Sequence, residues 1–123
     1  MSKSVLDIWG RNFELDVVYE CYPGEKVLDS QREAVAWLDD AMTIDVALEY
    51  VKSYVAKTAT VQIDAPIENI FKYVVPKSIF VPHRNKSPLI AIMCNYKFDT
   101  EHGIAVVFEN GKYKEVGGQD IIL

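Results

Sequence analysis

Residues 104–116, which read IAVVFENGKYKEV, decide the fold of this 123-residue chain. The pair Asn110 and Gly111 tolerates the positive φ angles that a two-residue hairpin turn requires. On either side of that turn, Glu109 and Lys112 would face each other across two strands as a pair of opposite charges. The stretch therefore predicts an antiparallel β-hairpin, and it indicates that the C-terminal half of the protein is a sheet.

A second β signal lies near the N-terminus. Residues 13–22 alternate between apolar and polar side chains, which is the period of a half-buried strand, and residues 23–24, Pro-Gly, should end it. Residues 5–9 predict an earlier strand, with a turn at 10–12. The side chains expected to face the core are Phe13, Leu15, Val17, Tyr19 and Cys21, and those expected to face outward are Glu14, Asp16, Val18 and Glu20.

Three helices are predicted between the two β regions. The first should start at an N-cap formed by Asp29 or Ser30, and the second at Thr43. The third should start after Asp64, with Pro66 in its first turn, and stop at Pro76. The apolar positions expected to be buried are Ala34, Val35, Trp37, Leu38 and Ala41 in the first helix, Ile44, Ala47, Leu48, Val51 and Val55 in the second, and Ile67, Ile70, Phe71 and Val74 in the third.

The rest of the chain predicts four strands. Residues 78–81 should lie near an edge because prolines flank them, whereas 89–96 and 104–108 are apolar on both faces and should be central. Residues 113–116 close the hairpin, and the apolar tail 121–123 should dock. The whole chain, residues 1–123, is thus expected to be a single α+β domain of order β-β-α-α-α-β-β-β-β. Its antiparallel sheet of about six strands should carry the helices on one face.

Composition narrows the classes of partner. The chain has 18 acidic and 13 basic residues and a formal charge of −5, which disfavours direct contact with nucleic acid. It has no apolar run of the length that spans a bilayer and no hydrophobic region of a signal peptide at its start, so we expect a cytoplasmic protein without a membrane partner. The two cysteines, Cys21 and Cys94, lie in apolar runs, and we expect both to be buried and reduced.

The sequence contains few residues arranged as a catalytic site would require. The two histidines, His83 and His102, lie in separate polar segments, and Cys94 lies in the middle of a strand, where a thiolate is disfavoured. Asp99, Glu101 and His102 are close in sequence but do not match a common metal-ligand spacing. We therefore predict no catalytic residues, no metal and no cofactor. An enzyme site built from Asp99, His102 and His83 is the least favoured hypothesis.

Acidic side chains are the strongest functional signal in the sequence. Glu14, Asp16 and Glu20 project from one face of one strand, where their mutual repulsion brings no structural return. A merely solvated acidic face is the alternative interpretation. Large aromatic side chains could anchor a partner among the acids, and the candidates are Trp9, Trp37, Tyr19 and Tyr22. For Trp37, packing in the core is favoured over the role of an anchor. The predicted partner-binding residues are Glu14, Asp16, Glu20, Asp39, Asp40, Asp45, Glu49 and Tyr22.

Several stretches also resemble a family of small bacterial proteins similar to the immunity proteins of polymorphic or contact-dependent toxin systems. The stretches are 7–16 (DIWGRNFELD), 76–81 (PKSIFV), 93–99 (MCNYKFD), 102–111 (HGIAVVFENG) and 119–123 (QDIIL). The resemblance runs over nearly the whole chain, and it implies a fold and a toxin-neutralising role without catalytic residues.

Two functional hypotheses follow. The leading one is an immunity protein that binds a cognate basic toxin domain, with a nuclease as the expected toxin, and covers its active site or an exosite. The alternative is a small regulatory or housekeeping protein-binding domain without a toxin partner. The sequence leaves the oligomeric state open.

Overall fold

The computed structural model describes residues 2–21, 24, 26–38, 41–60, 63, 67–83 and 88–122. Two helices and six strands form an α+β fold, as the sequence predicts. The elements are β1 (Ser2–Ile8), β2 (Arg11–Tyr19), α1 (Asp29–Trp37), α2 (Ala41–Thr58), β3 (Val74–Val81), β4 (Leu89–Tyr96), β5 (Ile104–Glu109) and β6 (Lys112–Gly117), with 3-10 turns at Ile70–Lys72 and Gln119–Ile121.

The six strands form one open sheet whose spatial order is the order of the sequence, β1 to β6. Four of the five strand pairs are antiparallel. The exception is the parallel pair β2 and β3, which runs from Asp16 opposite Ser78 to Tyr19 opposite Val81. A parallel pair needs a long crossover, and the segment with α1 and α2 supplies it. The sheet is therefore mostly, rather than entirely, antiparallel.

Two tight turns join the outer strands to their neighbours. Asn110 and Gly111 have φ angles of 54° and 76°, which confirms the predicted hairpin, and Glu109 pairs with Lys112 in register. The Glu109 carboxylate lies 3.3 Å from Nζ of Lys114, so its ion pair is with that lysine. The β1–β2 turn lies at residues 9–10, one residue earlier than the predicted turn at 10–12, and β2 ends at residue 19 instead of 22.

The predicted third helix is wrong. Within the described part of the segment, only the 3-10 turn Ile70–Lys72 is helical, while Asp64 and Pro66 lie outside the described residues. Val74 and Pro76, which were expected to pack in that helix and to end it, belong to β3. Of the apolar residues that predicted the helix, Val74 belongs to the strand, where it and its β-branched neighbour Val75 pair with β4, whereas Ile70 and Phe71 lie in the 3-10 turn.

Strand β3 is also not an edge strand, because it pairs with β2 on one side and β4 on the other. The prolines that suggested an edge are tolerated for a local reason. The pairing with β2 covers only residues 78–81, so Pro76 lies beyond it. A register shift between Pro76 and Ser78 interrupts the pairing with β4 at the same place, and a bulge of this kind accommodates a residue without an N–H group.

The main core lies between the sheet and the two helices. Helix α1 packs on β3 and β4, whereas α2 contacts both edge strands, β1 and β6. The alternation predicted for β2 is confirmed, because Leu15 and Val17 are buried against the helices while Glu14 and Asp16 are exposed on the other face. The predicted α2 stripe is confirmed as well. Its fully buried members are Ile44, Ala47, Val51 and Val55.

A second, smaller apolar cluster lies on the opposite face of the sheet, which we call the open face. Small side chains of β4 and β5 form its centre, and Ile122 packs on them with 4% of its surface exposed. The expected docking of the tail is therefore confirmed for Ile122, whereas Ile121 is 40% exposed and Leu123 lies outside the described residues. Both faces of the central strands are covered, as their sequences predict. The buried members of this cluster are Ala91, Met93, Ala105, Val107 and Ile122.

A buried glutamine fixes the start of α1. The N-cap residue is Leu28 instead of the predicted Asp29 or Ser30, and its N–H donates to Oε1 of Gln31 at 2.8 Å. The Nε2 group of Gln31 donates to the carbonyl oxygens of Glu20 and Val81, both at 3.0 Å. This side chain, which is 1% exposed, joins the helix to the ends of both parallel strands. In α2, Thr43 likewise lies within the helix, which begins at Ala41.

Loss of the Gln31 side chain should destabilise the protein strongly. The substitution Gln31→Ala removes three hydrogen bonds to the backbone, and the Leu28 N–H and the Glu20 carbonyl lose the Gln31 partner while the Val81 carbonyl keeps the N–H of Glu20. We expect it to lower the free energy of unfolding by about 2–4 kcal/mol. Gln119→Ala is a matched control, because the side chain of Gln119 donates one hydrogen bond to a backbone carbonyl, that of Cys94 at 3.2 Å, and its loss should cost about 1 kcal/mol. Urea unfolding measures both. Equal losses in the two variants would contradict the role assigned to Gln31.

Candidate protein-binding surface

The acidic side chains of β2 lie on the open face, as their spacing predicts. Glu14 and Asp16 are both exposed. The edge strand β1 places Lys3 beside them, and Nζ of Lys3 lies 3.6 Å from Oε1 of Glu14. This part of the acidic row is therefore partly neutralised by the chain itself, which weakens it as a docking surface.

Glu20 has a structural task of its own. Its Oε1 atom accepts a hydrogen bond from the backbone N–H of His83 at 3.1 Å, so the carboxylate joins the segments that follow β2 and β3. The Glu20 side chain is half-buried. It fixes the end of the parallel pair, which gives the carboxylate an internal role besides the predicted docking role.

The remaining predicted acids do not join the β2 row. Asp45 and Glu49 are exposed on α2, and α2 covers the face of the sheet opposite to Glu14 and Asp16. Nζ of Lys52 lies 4.0 Å from Oε1 of Glu49. The acidic residues of β2 and α2 thus belong to two surfaces on opposite sides of the sheet. The other three predicted binding residues, Asp39, Asp40 and Tyr22, lie outside the described residues.

On the helical side, an aromatic groove lies between α2 and the β5–β6 hairpin. The rings of Tyr50 and Tyr113 stack there, with centroids 4.2 Å apart and an angle of 15° between their planes. Tyr50 is 51% exposed and Val46, one helical turn before it, is 58% exposed. The groove has a volume of about 430 Å³, and its lining residues are Thr43, Val46, Tyr50, Gly111, Lys112 and Tyr113.

A neighbouring recess of about 300 Å³ extends the groove toward the end of α1 and shares Thr43 and Gly111 with it. Trp37 lines this recess, and its ring lies so close to Gly111 that an added Cβ atom there would be 3.2 Å from it. Of the four aromatic anchors suggested by the sequence, Trp37 thus lines this surface, where it also supports the hairpin turn.

Two other suggested anchors are used inside the fold. Trp9 occupies the first position of the β1–β2 turn with φ of 52°, a conformation that is costly for a bulky residue. Its indole N–H donates to the carbonyl of Ile44 at 3.1 Å, and its ring packs against Phe71. Tyr19 is half-buried and packs against the main core. Both aromatic side chains therefore link elements of the fold.

The groove itself was missed by the sequence analysis. Val46 and Tyr50 are four residues apart and lie off the buried stripe of α2, so the helix pattern alone marks them as exposed apolar residues. The contribution of Tyr113 could not be read from the sequence, because it depends on α2 packing against the distant strand β6.

The three residues of the least favoured hypothesis, Asp99, His102 and His83, lie at two different ends of the sheet. His83 follows β3 and lies at the end of the sheet where β4 begins, whereas Asp99 and His102 lie beyond the other end of β4. Eight residues of strand separate the two ends by about 25 Å. Asp99, His102 and His83 therefore form no common site.

The two cysteines differ from each other. Cys94 is buried as predicted, and burial raises the pKa of its thiol well above the ordinary range, which opposes formation of a nucleophilic thiolate. The prediction that Cys21 is buried is wrong, because it is exposed. It follows β2 after the end of the regular alternation, where the chain leaves the sheet.

No group of three or more potential metal ligands occurs within the described residues. Among the same residues, no helix has the length and apolar character needed to cross a membrane.

The protein has an α+β fold, in which two helices pack against a six-stranded, mostly antiparallel open sheet. The chain belongs to the family described as a domain of unknown function, DUF6985, whose model matches residues 1–123. No curated protein and no solved structure matches the chain.

The exposed pair of Asp99 and His102 should titrate as a unit. The Nδ1 atom of His102 lies 3.1 Å from both carboxylate oxygens of Asp99. This hydrogen bond and the carboxylate charge raise the pKa of His102 above its ordinary value of 6.5. The backbone N–H of His102, followed by its ring, lowers the pKa of Asp99 below 3.8.

A raised histidine pKa stabilises the fold below pH 6.5, and this contribution is lost as pH rises through the folded pKa. A lowered aspartate pKa stabilises it above pH 3.8, and this contribution is lost as pH falls through the folded pKa. The ion pair of Asp99 and His102 therefore contributes to the stability of the fold mainly between pH 3.8 and pH 6.5. In Asp99→Asn, the pKa of His102, followed by NMR of the ring, should fall toward 6.5. An unchanged titration curve would show that the contact is not populated in solution.

Proposed function

We propose that this protein acts by binding a basic protein, and that the partner is a toxin domain which it neutralises as an immunity protein. The observation that carries the binding role is the half-exposed stack of Tyr50 on Tyr113 in a groove beside α2, a helix that also exposes Asp45 and Glu49. The proposal that this partner is a toxin rests on the resemblance described above and on the acidic charge of the chain.

The groove has the properties of a binding hot spot. Tyrosine is enriched among the residues that dominate binding energy, since a ring supplies a large contact area with few rotatable bonds. Tyr50 and Tyr113 already stack, so little side-chain freedom remains to be lost on binding. An apolar side chain of a partner that entered the groove would cover both rings and the exposed Val46.

The charges beside the groove favour a basic partner. Asp45 and Glu49 are exposed on α2 beside the groove. Two lysines offset them in part, since Lys52 pairs with Glu49 and Lys112 lines the groove. Lysine or arginine residues that flank the inserted apolar side chain would face these carboxylates. With a formal charge of −5, the protein would also attract a basic domain over a distance, which raises the association rate more than the affinity.

A basic toxin fits this chemistry because a nuclease needs a positive active site to hold phosphates. An acidic protein seated on such a domain competes with its substrate or covers it. A regulatory domain that uses the same groove for an unrelated basic protein is the second candidate, and the gene neighbourhood distinguishes the two. An immunity gene is expected directly downstream of a gene for a large toxin.

The test uses the C-terminal domain of the protein encoded directly upstream, titrated with this protein by calorimetry. We expect a tight complex and loss of the domain's toxicity on co-expression. Tyr50→Ala should weaken the complex about 30-fold, since truncation of a hot-spot residue costs about 2 kcal/mol.

Matched variants locate the surface. The double reversal of Asp45→Lys with Glu49→Lys should slow association, whereas Glu14→Lys with Asp16→Lys on the open face should affect it much less. Val46→Ala should weaken binding, and Val18→Ala, which also truncates an exposed valine, should not. The opposite ranking would move the interface to the open face. A non-toxic upstream domain, or one that does not bind, would refute the immunity role.

A further inference from the structure

The outer edge of β1 is a second interaction surface, independent of the groove. Within the part of the chain that the structure describes, β1 pairs only with β2, so its other side presents unpaired N–H and C=O groups. An edge of this kind is a template for another strand. Val5, in the middle of β1, is 67% exposed, the most exposed of the large apolar side chains described.

The charges of β1 select one partner for this edge. Lys3, Val5 and Asp7 face the open side, since they pair with Asp16, Glu14 and Asn12 of β2. A two-fold axis through Val5, perpendicular to the sheet, places each Lys3 opposite the Asp7 of the other copy. We propose that β1 pairs with β1 of a second copy in this antiparallel register, forming a dimer with one continuous sheet.

Other registers of β1 lack this complementarity. A two-fold axis through Ser4 sets Lys3 opposite Val5, and an axis through Leu6 sets Val5 opposite Asp7. In the proposed register, two pairs of opposite charges flank a contact between two valines, and opposite charges across strands are stabilising. The Oδ1 atom of Asp7 also accepts a hydrogen bond from the N–H of Gly10 in its own β1–β2 turn at 3.1 Å, so this carboxylate has an internal partner besides the proposed one.

The other edge of the sheet opposes self-pairing. A two-fold axis through Lys114 of β6 sets that lysine opposite itself, and an axis through Glu115 does the same for the glutamate. An axis through Tyr113 sets Lys112 opposite Lys114. Each of these registers brings like charges together, which is a common protection of edge strands. The dimer therefore uses β1 and leaves β6, with the groove beside it, available to a partner.

The oligomeric state in solution is the first test. The untagged protein, studied by sedimentation or light scattering between about 1 and 200 µM, should form a species of twice its 14.0 kDa mass. Added salt should weaken this species, because both charge pairs are exposed. A monomer at all these concentrations would overturn the proposal.

Charge reversals then test the register. Lys3→Asp places two pairs of carboxylates opposite each other, and Asp7→Lys places two pairs of ammonium groups opposite each other. Each should raise the dissociation constant of the dimer at least about tenfold. An equimolar mixture of the two variants should form heterodimers, since every pair is then complementary, and native mass spectrometry distinguishes them from homodimers.

Val5→Lys is a further variant that leaves the charges at residues 3 and 7 unchanged. It sets two ammonium groups against each other on the two-fold axis and should give a monomer. Because Val5 is exposed and lies opposite Glu14 of β2, a lysine there meets an opposite charge within its own chain, and the thermal unfolding curve of this monomer should report an intact fold. A dimer that persists in Val5→Lys, or single reversals that do not recombine on mixing, would show that β1 is not the interface.

Discussion

The parallel contact between β2 and β3 is the constraint on which the rest of the structure depends. The carbonyl of Val81 accepts hydrogen bonds from the backbone N–H of Glu20 at 2.9 Å and from the Gln31 side chain at 3.0 Å. These bonds join two strands that are distant in sequence, and they attach the start of α1 to both. A buried amide is stable here because each of its groups is paired. The position of the helices over one face follows from this arrangement.

The same arrangement separates the acidic residues. Because side chains alternate along β2, the burial of Leu15 and Val17 under the helices places Glu14 and Asp16 on the open face. The acids of α2 then lie on the other side of the molecule. A charge of −5 is therefore spread over two surfaces, and only the surface with α2 combines acids with the exposed aromatic pair. The acids of α2 together with the stacked tyrosines point to one surface as the proposed binding site, whereas net charge alone does not distinguish the two surfaces.

Local patterns predicted much of the fold. The Asn110–Gly111 turn, the alternation of β2 and the buried stripe of α2 each depend on neighbours in sequence, and each is confirmed. The larger errors concern long-range context, whereas the starts of α1 and α2 and the β1–β2 turn differ from the prediction by one or two residues. The local sequence predicts that Pro76 ends a helix, and the pairing of β3 with β2 and β4 shows that it occupies a bulge.

The candidate site was predicted less well, for the same reason. The exposure of Asp45 and Glu49 followed from the helix period, and the structure agrees. The groove depends on a ring contact between residues 50 and 113, which no local pattern contains. Conversely, the internal bond of Glu20 to His83 joins residues that lie far apart in the chain. The three acids of the predicted row therefore differ in the structure, since Glu14 and Asp16 are exposed whereas Glu20 is hydrogen-bonded within the fold.

The crossover between β2 and β3 also has a kinetic consequence. Strands β3 to β6 follow one another through short connections, so their contacts close small loops, whereas the parallel pair must close a loop that contains both helices. Contacts of high sequence separation form late and slow folding. The β3–β6 meander is thus suited to act as the nucleus of a cooperative unit, with β1 and β2 added afterwards. Local opening of the native protein should begin with the strands that joined last, and their amide hydrogens should exchange with solvent first.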